Sequence, residues 1–198
     1  MGKKTAIFGA WVGFLAIVYF AIYRGFVYKW FGTTGDEAFI AFCSLALFFG
    51  QNGPGKFDKK FWSFAGSGIC GAIWGWIFVR GVNLLMPLFG TSDGPPTDKI
   101  FVPAALIDIL VLTAAAIIVH TFLLQKTLLN NMAYVFLGVA TTFSGTIVGG
   151  HGGTAVQGLL GVLQLAILLI CGMLIGLGSN ALAPKIFGPP PVEVDVTK

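Results

Sequence analysis

Long apolar runs separated by short polar turns dominate the pattern of this chain. A helix needs about 20 apolar residues to cross the hydrocarbon core of a bilayer. Six runs approach or exceed that length, the second being the shortest: 5–25, 37–51, 61–87, 101–124, 131–149 and 156–183. Segments rich in Gly, Pro, Asn and Asp, such as 51–55, separate them. The pattern predicts an all-α membrane protein with six transmembrane helices.

Composition excludes several classes of protein. The 198 residues are 56% hydrophobic and 10% charged, and the mean hydropathy is +0.87. Soluble domains carry about 25% charged residues, so this chain cannot cover a soluble surface. A soluble enzyme, a disordered chain and an ordinary DNA-binding domain are therefore excluded. The net charge of +4 does not indicate a nucleic-acid partner, because the basic residues lie at the ends of apolar runs.

The distribution of basic residues predicts the orientation of the spans. With a cytoplasmic N-terminus, eight basic residues lie on the inner side and four on the outer side, and positive charge favours the cytoplasm. The inner set is Lys3, Lys4, Lys56, Lys59, Lys60, Lys126, Lys185 and Lys198, and the outer set is Arg24, Lys29, Arg80 and Lys99. We therefore expect a multi-pass protein with both termini in the cytoplasm.

The chain also contains an internal repeat with a spacing of 97 residues. The sequence Gly-x-Asn-x-Leu-x-Pro at 81–87 returns at 178–184, near the end of the third span of each half. Three spans per half is an odd number, so the halves enter the membrane in opposite directions. We expect two inverted three-helix repeats, 1–97 and 98–188, followed by a flexible Pro-rich tail at 189–198. Such repeats are typical of transporters, although they can also serve packing alone.

Glycine-rich segments follow the second span of each half, at 50–55 and 141–153. Irregular backbone at membrane depth is tolerated only where protein buries it or water reaches it. A surface loop is an equal alternative for 50–55, whereas the polar run at 141–153 begins before the expected exit from lipid. We expect a transport pathway with hydroxyl groups and an aromatic constriction, formed by Thr141, Thr142 and Ser144 with Phe48, Phe49 and Phe143. The alternative is that these hydroxyls bond their own helix.

Two charged residues lie inside the predicted spans, and charge is costly in a bilayer. Arg80 and Asp108 both lie seven residues from the outer ends of neighbouring spans. We expect them to form an intramembrane ion pair, with a gate or a solute contact as the alternative.

The remaining polar residues give no sign of catalysis or metal binding. His120 and His151 have no second ligand at metal-binding spacing, and His120 is expected to be capped or interfacial. No nucleophile–base pair or phosphate-binding loop is present, so we expect neither an enzyme nor a cofactor. Four Gly-x-x-x-Gly stripes, at 9–13, 71–75, 145–149 and 172–176, favour packing within the subunit or contact in a homo-oligomer.

Several of these features together resemble a known family. They are the Cys43 and Phe-Phe of the second span, the Gly-Pro-Gly-Lys connection, Gly68-x-x-Gly71-x-x-Trp74 and the stretch 136–145. The chain resembles, over about 5–183, the domain of unknown function 1097 family of small bacterial inner-membrane proteins. It departs in its longer 90–99 loop and in its Pro-rich tail. The resemblance implies a polytopic inner-membrane protein with no established activity.

These features predict a channel or facilitator for a small polar solute, with its pathway between the two repeats. Few titratable groups lie in the spans, so passive flow fits better than proton-coupled pumping. The alternative is a non-transporting membrane scaffold or accessory subunit. The expected partners are membrane lipid and a small-molecule solute.

Overall fold

Every regular element in the described part of the chain is helical. The computed structural model describes residues 2–31, 36–89, 103–143 and 158–188. The helices are α1 (Gly2–Ile22), α2 (Tyr28–Phe31), α3 (Ile40–Gly50), α4 (Lys59–Phe89), α5 (Pro103–Ile118), α6 (Met132–Phe143) and α7 (Gly158–Phe187). Two π-helical turns, Tyr23–Val27 after α1 and Val119–Leu123 after α5, interrupt the α-helical pattern, and a 3-10 turn, Asp36–Phe39, leads into α3. The expected all-α class is confirmed.

Three of the six expected spans are long and apolar enough to cross a membrane. They are Lys3–Phe31, Lys59–Gly81 and Leu160–Phe187. The other three described apolar helices are shorter: Glu37–Gly50, Ile109–Leu123 and Met132–Thr142. Each predicted run therefore contains an apolar helix, and only half of these helices reach a full span. The 90–99 loop, most of the glycine-rich 141–153 segment and the tail lie outside the described residues.

Local side-chain chemistry sets the helix boundaries. Asp58 caps α4, since its Oδ1 accepts hydrogen bonds from the backbone N–H groups of Lys60 (2.9 Å) and Phe61 (3.0 Å). After α3, Asn52 adopts a left-handed φ of 51°, and Gly53 N–H closes the turn onto the Phe48 carbonyl at 2.8 Å. This turn ends α3 at Gly50 and leads the chain into the loop before α4.

Glycines bring two helix pairs into backbone contact. A Cβ added at Gly138 of α6 would lie 2.5 Å from the Gly68 carbonyl oxygen and 2.6 Å from the Ala72 nitrogen, both in α4. Likewise, a Cβ at Gly172 of α7 would collide with the Ala41 carbonyl oxygen of α3. Small residues allow such close approach, which drives helix association in membranes through van der Waals contact. The pairs α4–α6 and α3–α7 therefore form the tightest contacts of the fold.

Contacts along each pair give the helix directions. Phe48 lies against Gly176, one turn beyond the contact of Gly172 with α3, so α3 and α7 run parallel. Along α4, Phe64 stacks on Tyr134 (4.6 Å between ring centroids) and Gly75 lies against Thr142, so α4 and α6 also run parallel.

One end of the bundle collects the start of α1, the end of α3 and the end of α7. There Phe8 packs on Phe49 (6.2 Å) and Phe187 (5.6 Å), and Asn180 Nδ2 donates a hydrogen bond to the Gly53 carbonyl (2.7 Å). We call it the lysine end, because its exposed basic residues are Lys3, Lys4, Lys56, Lys59, Lys60, Lys126 and Lys185. Asp58 is the only carboxylate among the described residues there.

The centre of the bundle is closed by aromatic and aliphatic side chains. Phe48, Phe64 and Tyr134 are essentially fully buried, with Phe48 and Phe64 in an edge-to-face contact of 5.8 Å. Leu168, Leu169 and Met173 of α7 complete the core, which stabilises the helices through dispersion contacts. Among the described helices, this aromatic and aliphatic layer forms the hydrophobic core.

Candidate functional site

A cluster of hydrogen-bonded polar side chains forms where α1 is interrupted by its π turn. Tyr23, in that turn, donates a hydrogen bond from its hydroxyl to Glu37 Oε1 at 3.0 Å. Gln164 of α7 donates from Nε2 to the same carboxylate oxygen (2.8 Å) and to the Tyr23 hydroxyl oxygen (2.9 Å). We call these three residues the Tyr23 cluster. Tyr23 and Gln164 are each only 2% exposed, so the cluster joins α1, α7 and the start of α3 inside the bundle.

The Tyr23 cluster lies where α1 and α7 meet the 3-10 turn that precedes α3, and Glu37, in that turn, is half-buried. An ionisable side chain within a membrane is expensive, and such residues usually mark a functional site. A π turn adds one residue to a helical turn and is frequent at functional sites. Here the turn accompanies an inward-facing Tyr23, whose hydroxyl lies between Glu37 and Gln164. The arrangement combines hydrogen-bond donors and acceptors, which are the groups that a polar solute needs.

A second cluster forms at the π turn after α5. Trp74 Nε1 donates a hydrogen bond to His120 Nε2 at 3.2 Å, and Cys70 Sγ lies 3.6 Å from the same nitrogen. We call these three residues the His120 cluster. An indole N–H only donates, so Nε2 is the acceptor and the neutral ring carries its proton on Nδ1. Nδ1 is buried and has no hydrogen-bond partner among the described residues.

His120 is fully buried within the protein. The expectation that it is capped or interfacial stays a prediction. The sequence places it near the cytoplasmic end of its span, but the π turn directs its ring towards α4. Its partners lie 11 and 15 residues after the start of α4, well inside the bundle.

The expected phenylalanine constriction is part of the core. Phe48 is completely buried between Phe64 and Gly176, and Phe49 is half-buried against Phe8. Phe48 thus fills space between α3, α4 and α7.

The expected threonines donate their hydroxyls within their own helix. Thr141 Oγ1 lies 2.8 Å from the Leu137 carbonyl and 3.1 Å from the Gly138 carbonyl, and Thr142 Oγ1 lies 2.8 Å from the Gly138 carbonyl. This is the self-bonding alternative named for these residues. The Phe143 side chain and Ser144 lie outside the described residues.

The end of α3 and the end of α6 lie at different levels. Tyr134 hydroxyl donates to the Ser44 carbonyl (3.4 Å), and Asn131 Nδ2 donates to Gln51 Oε1 (2.7 Å), so the start of α6 lies beside the end of α3. Thr142 is eight residues further along α6, about 12 Å at 1.5 Å per residue. The geometry therefore separates the two segments that were expected to meet at the centre.

Of the two side chains in the expected ion pair, the structure describes only that of Arg80. Arg80 is exposed, and its guanidinium carbon lies 5.7 Å from the centroid of the Trp76 ring, a cation–π distance. The side chain of Asp108 lies outside the described residues. The pairing of Arg80 with Asp108 stays a prediction.

Within the described ranges, no group of three His, Cys, Asp or Glu side chains could hold a metal ion. The cysteines Cys43, Cys70 and Cys171 are all free thiols.

Sequence reasoning missed Tyr23, Glu37, Gln164, Cys70 and Trp74. Glu37 was placed at the edge of a span, and Gln164 stands alone in an apolar run. Their contact spans 127 residues of sequence, so no local pattern reveals it. An isolated amide in the run 160–170 was the one available signal.

Comparisons with other proteins do not extend this assignment. No family model, curated protein or solved structure matches the chain. The resemblance to the domain of unknown function 1097 family therefore stays an expectation.

Proposed function

We propose that this protein is an inner-membrane channel or facilitator for a small polar solute, with its pathway between two inverted repeats. The observation that carries the proposal is the pair of buried polar clusters, each of which joins the two halves of a predominantly apolar bundle. Polar side chains within such bundles usually mark solute or ion pathways.

The element boundaries support the repeat. Shifted by 97 residues, the π turn Tyr23–Val27 falls on 120–124, and the second π turn is Val119–Leu123. Shifted likewise, α4 falls on 156–186, against Gly158–Phe187 for α7. These two pairs of corresponding elements, the π turns and the third helices, therefore begin and end within a few residues of each other.

Packing is consistent with the same symmetry. The repeat would relate α1 to α5, α3 to α6 and α4 to α7. Under this exchange the α3–α7 pair becomes the α6–α4 pair, which also packs closely. The same exchange converts the α1–α7 contact into the α5–α4 contact, which is present as well. Two-fold related halves would account for the presence of both kinds of contact in each half.

One residue of each cluster occupies a corresponding position in the proposed repeat. Tyr23 corresponds to His120 after the 97-residue shift, and each side chain reaches the third helix of the opposite half, through Gln164 and Trp74 respectively. In inverted-repeat transporters the site lies at the interface of the repeats. Residues that join the halves are therefore the best candidates to contact a solute.

Transport is tested by flux into proteoliposomes, across a panel of small neutral and charged solutes. We expect wild-type protein to carry at least one of them, and Gln164→Leu to reduce that flux by about tenfold or more, since one good hydrogen bond to a charged group is worth about 1.5–3 kcal/mol. Lys185→Gln, an exposed change at the lysine end, is the matched control and should leave flux unchanged. Absence of flux for every solute would refute transport.

The second candidate is a non-transporting membrane scaffold or accessory subunit, and the first helix favours it. A Cβ added at Gly9 or Gly13 of α1 would meet nothing within 4 Å, so this small-residue face is open within the subunit. Homo-oligomer contact through that face would use it. Cross-linking of Gly13→Cys in native membranes tests this alternative.

A further inference from the structure

The segment 56–62 at the lysine end presents an exposed aromatic pair. Phe57 is 60% exposed and Trp62 is 54% exposed, and their rings stack at 6.1 Å with an interplanar angle of 28°. Phe61, which is 1% exposed, contacts both rings edge-on, at 4.9 and 5.3 Å. The buried Phe61 thus anchors the exposed pair to the core, so the pair is a fixed platform.

Among the charged residues near this platform, some are exposed and others already bond to the protein. Lys56 and Lys59 are exposed beside it. Asp58 accepts two backbone hydrogen bonds at the start of α4, so its carboxylate serves the helix terminus. Lys60 donates from Nζ to the Asn52 carbonyl at 2.9 Å, so its ammonium group serves the preceding loop. Of the three lysines in this segment, Lys56 and Lys59 are therefore the ones placed to contact a ligand outside the protein.

The platform lies at the level where a membrane surface would be. Trp62 is in the first turn of the Lys59–Gly81 helix, which is long and apolar enough to span a bilayer. Tryptophan rings at span ends favour the headgroup region, and adjacent lysines are attracted to anionic lipid. Aromatic and cationic groups therefore meet at one membrane depth.

We propose that the segment 56–62 binds anionic phospholipid, with Lys56 and Lys59 contacting the phosphate headgroup and the rings of Phe57 and Trp62 packing on the acyl-chain boundary. The inference rests on the membrane insertion within the proposed function and does not require transport. Charge complementarity selects the ligand, because the described residues of the lysine end carry seven lysines against one carboxylate.

The test is a lipid titration of the full-length protein in a neutral detergent, read as thermal stabilisation. Dioleoyl-phosphatidylglycerol should raise the midpoint of unfolding more than dioleoyl-phosphatidylcholine. The double variant Lys56→Gln/Lys59→Gln should weaken apparent phosphatidylglycerol affinity by about 30-fold, the factor equivalent to about 1 kcal/mol per lysine. Phe57→Ser should weaken the affinity for both lipids, because it removes part of the apolar platform.

The matched control is Lys3→Gln/Lys4→Gln, which removes the same charge at the same end but away from the platform. It should change the affinity by less than threefold. Equal losses in the two double variants would mean diffuse surface charge and would overturn the proposal, as would equal stabilisation of wild-type protein by the two lipids. Reproduction of the effect by soluble glycerol phosphate would also overturn it. A protein that carries no solute can still show this lipid preference, so the lipid-binding proposal and the transport proposal can be refuted independently.

Discussion

Replacing Gly138 with alanine should separate the α4–α6 pair. The new Cβ would lie 2.5 Å from the Gly68 carbonyl oxygen, 2.6 Å from the Ala72 nitrogen and 2.7 Å from the Gly71 carbonyl carbon. Ordinary contacts of a Cβ lie at 3.4–4 Å. All three neighbours are backbone atoms of α4, so no side-chain rotation relieves the clash, and the helices must move apart by about 1 Å to restore normal van der Waals distance.

The cost follows from two opposing effects. Overpacking a close-packed interior costs about 1–3 kcal/mol, and contact with rigid backbone places Gly138→Ala near about 3 kcal/mol. Alanine recovers about 1 kcal/mol through its helix propensity. The net loss is about 2 kcal/mol, which corresponds to a decrease of about 4–8 °C in Tm for a chain of this size.

The assay is thermal unfolding of purified protein in detergent, followed by tryptophan fluorescence. Gly13→Ala is the matched control, because it makes the same chemical change on an exposed face with nothing within 4 Å. Its Tm should be equal to or above that of the wild type. A Gly138→Ala protein at least as stable as the wild type would show that the two backbones do not touch.

Three further outcomes are expected. Asn180→Leu, which removes the amide donor to the Gly53 carbonyl, should cost about 1–2 kcal/mol in thermal unfolding, and an unchanged Tm would contradict that hydrogen bond. Thr142→Val keeps the side-chain shape and should leave flux unchanged, because its hydroxyl serves its own helix; a large loss of flux would restore the threonine to the pathway. A double-mutant cycle of Trp74→Phe with His120→Phe should give a coupling of about 1 kcal/mol in unfolding free energy, and no coupling would refute the indole–imidazole contact.

The fold was largely readable from hydrophobic patterning. Every predicted apolar run contains a described helix, and the short second run is a short helix, Glu37–Gly50. Turn chemistry also located the loop at 51–55, where Asn52 takes its left-handed conformation. The part of the fifth run beyond Phe143 lies outside the described residues.

The candidate site was much less readable. Hydropathy treats Tyr23 as one of several interfacial aromatics and gives no weight to a single amide such as Gln164, yet the two meet across 141 residues of sequence. The π turns depend on how α1 and α5 pack on α7 and α4, which is tertiary information. Arg80 was noticed for its charge, but its exposure depends on where neighbouring helices stop.

The glycine contacts also determine how this bundle can deform. Backbone packed on backbone, as between Gly172 and Ala41, contains no rotatable side chain, so α3 with α7 and α4 with α6 must each move as a rigid block. The surfaces between the blocks are different: a Cβ added at Gly68 would lie 3.4 Å from Met173 Cε and 3.5 Å from Leu169 Cδ1, both on flexible side chains. Side-chain layers of this kind permit the small sliding displacements of shear motions. Any sliding of the two helix pairs past each other would require the rings of Phe48 and Tyr134, which lie in the core between them, to rearrange.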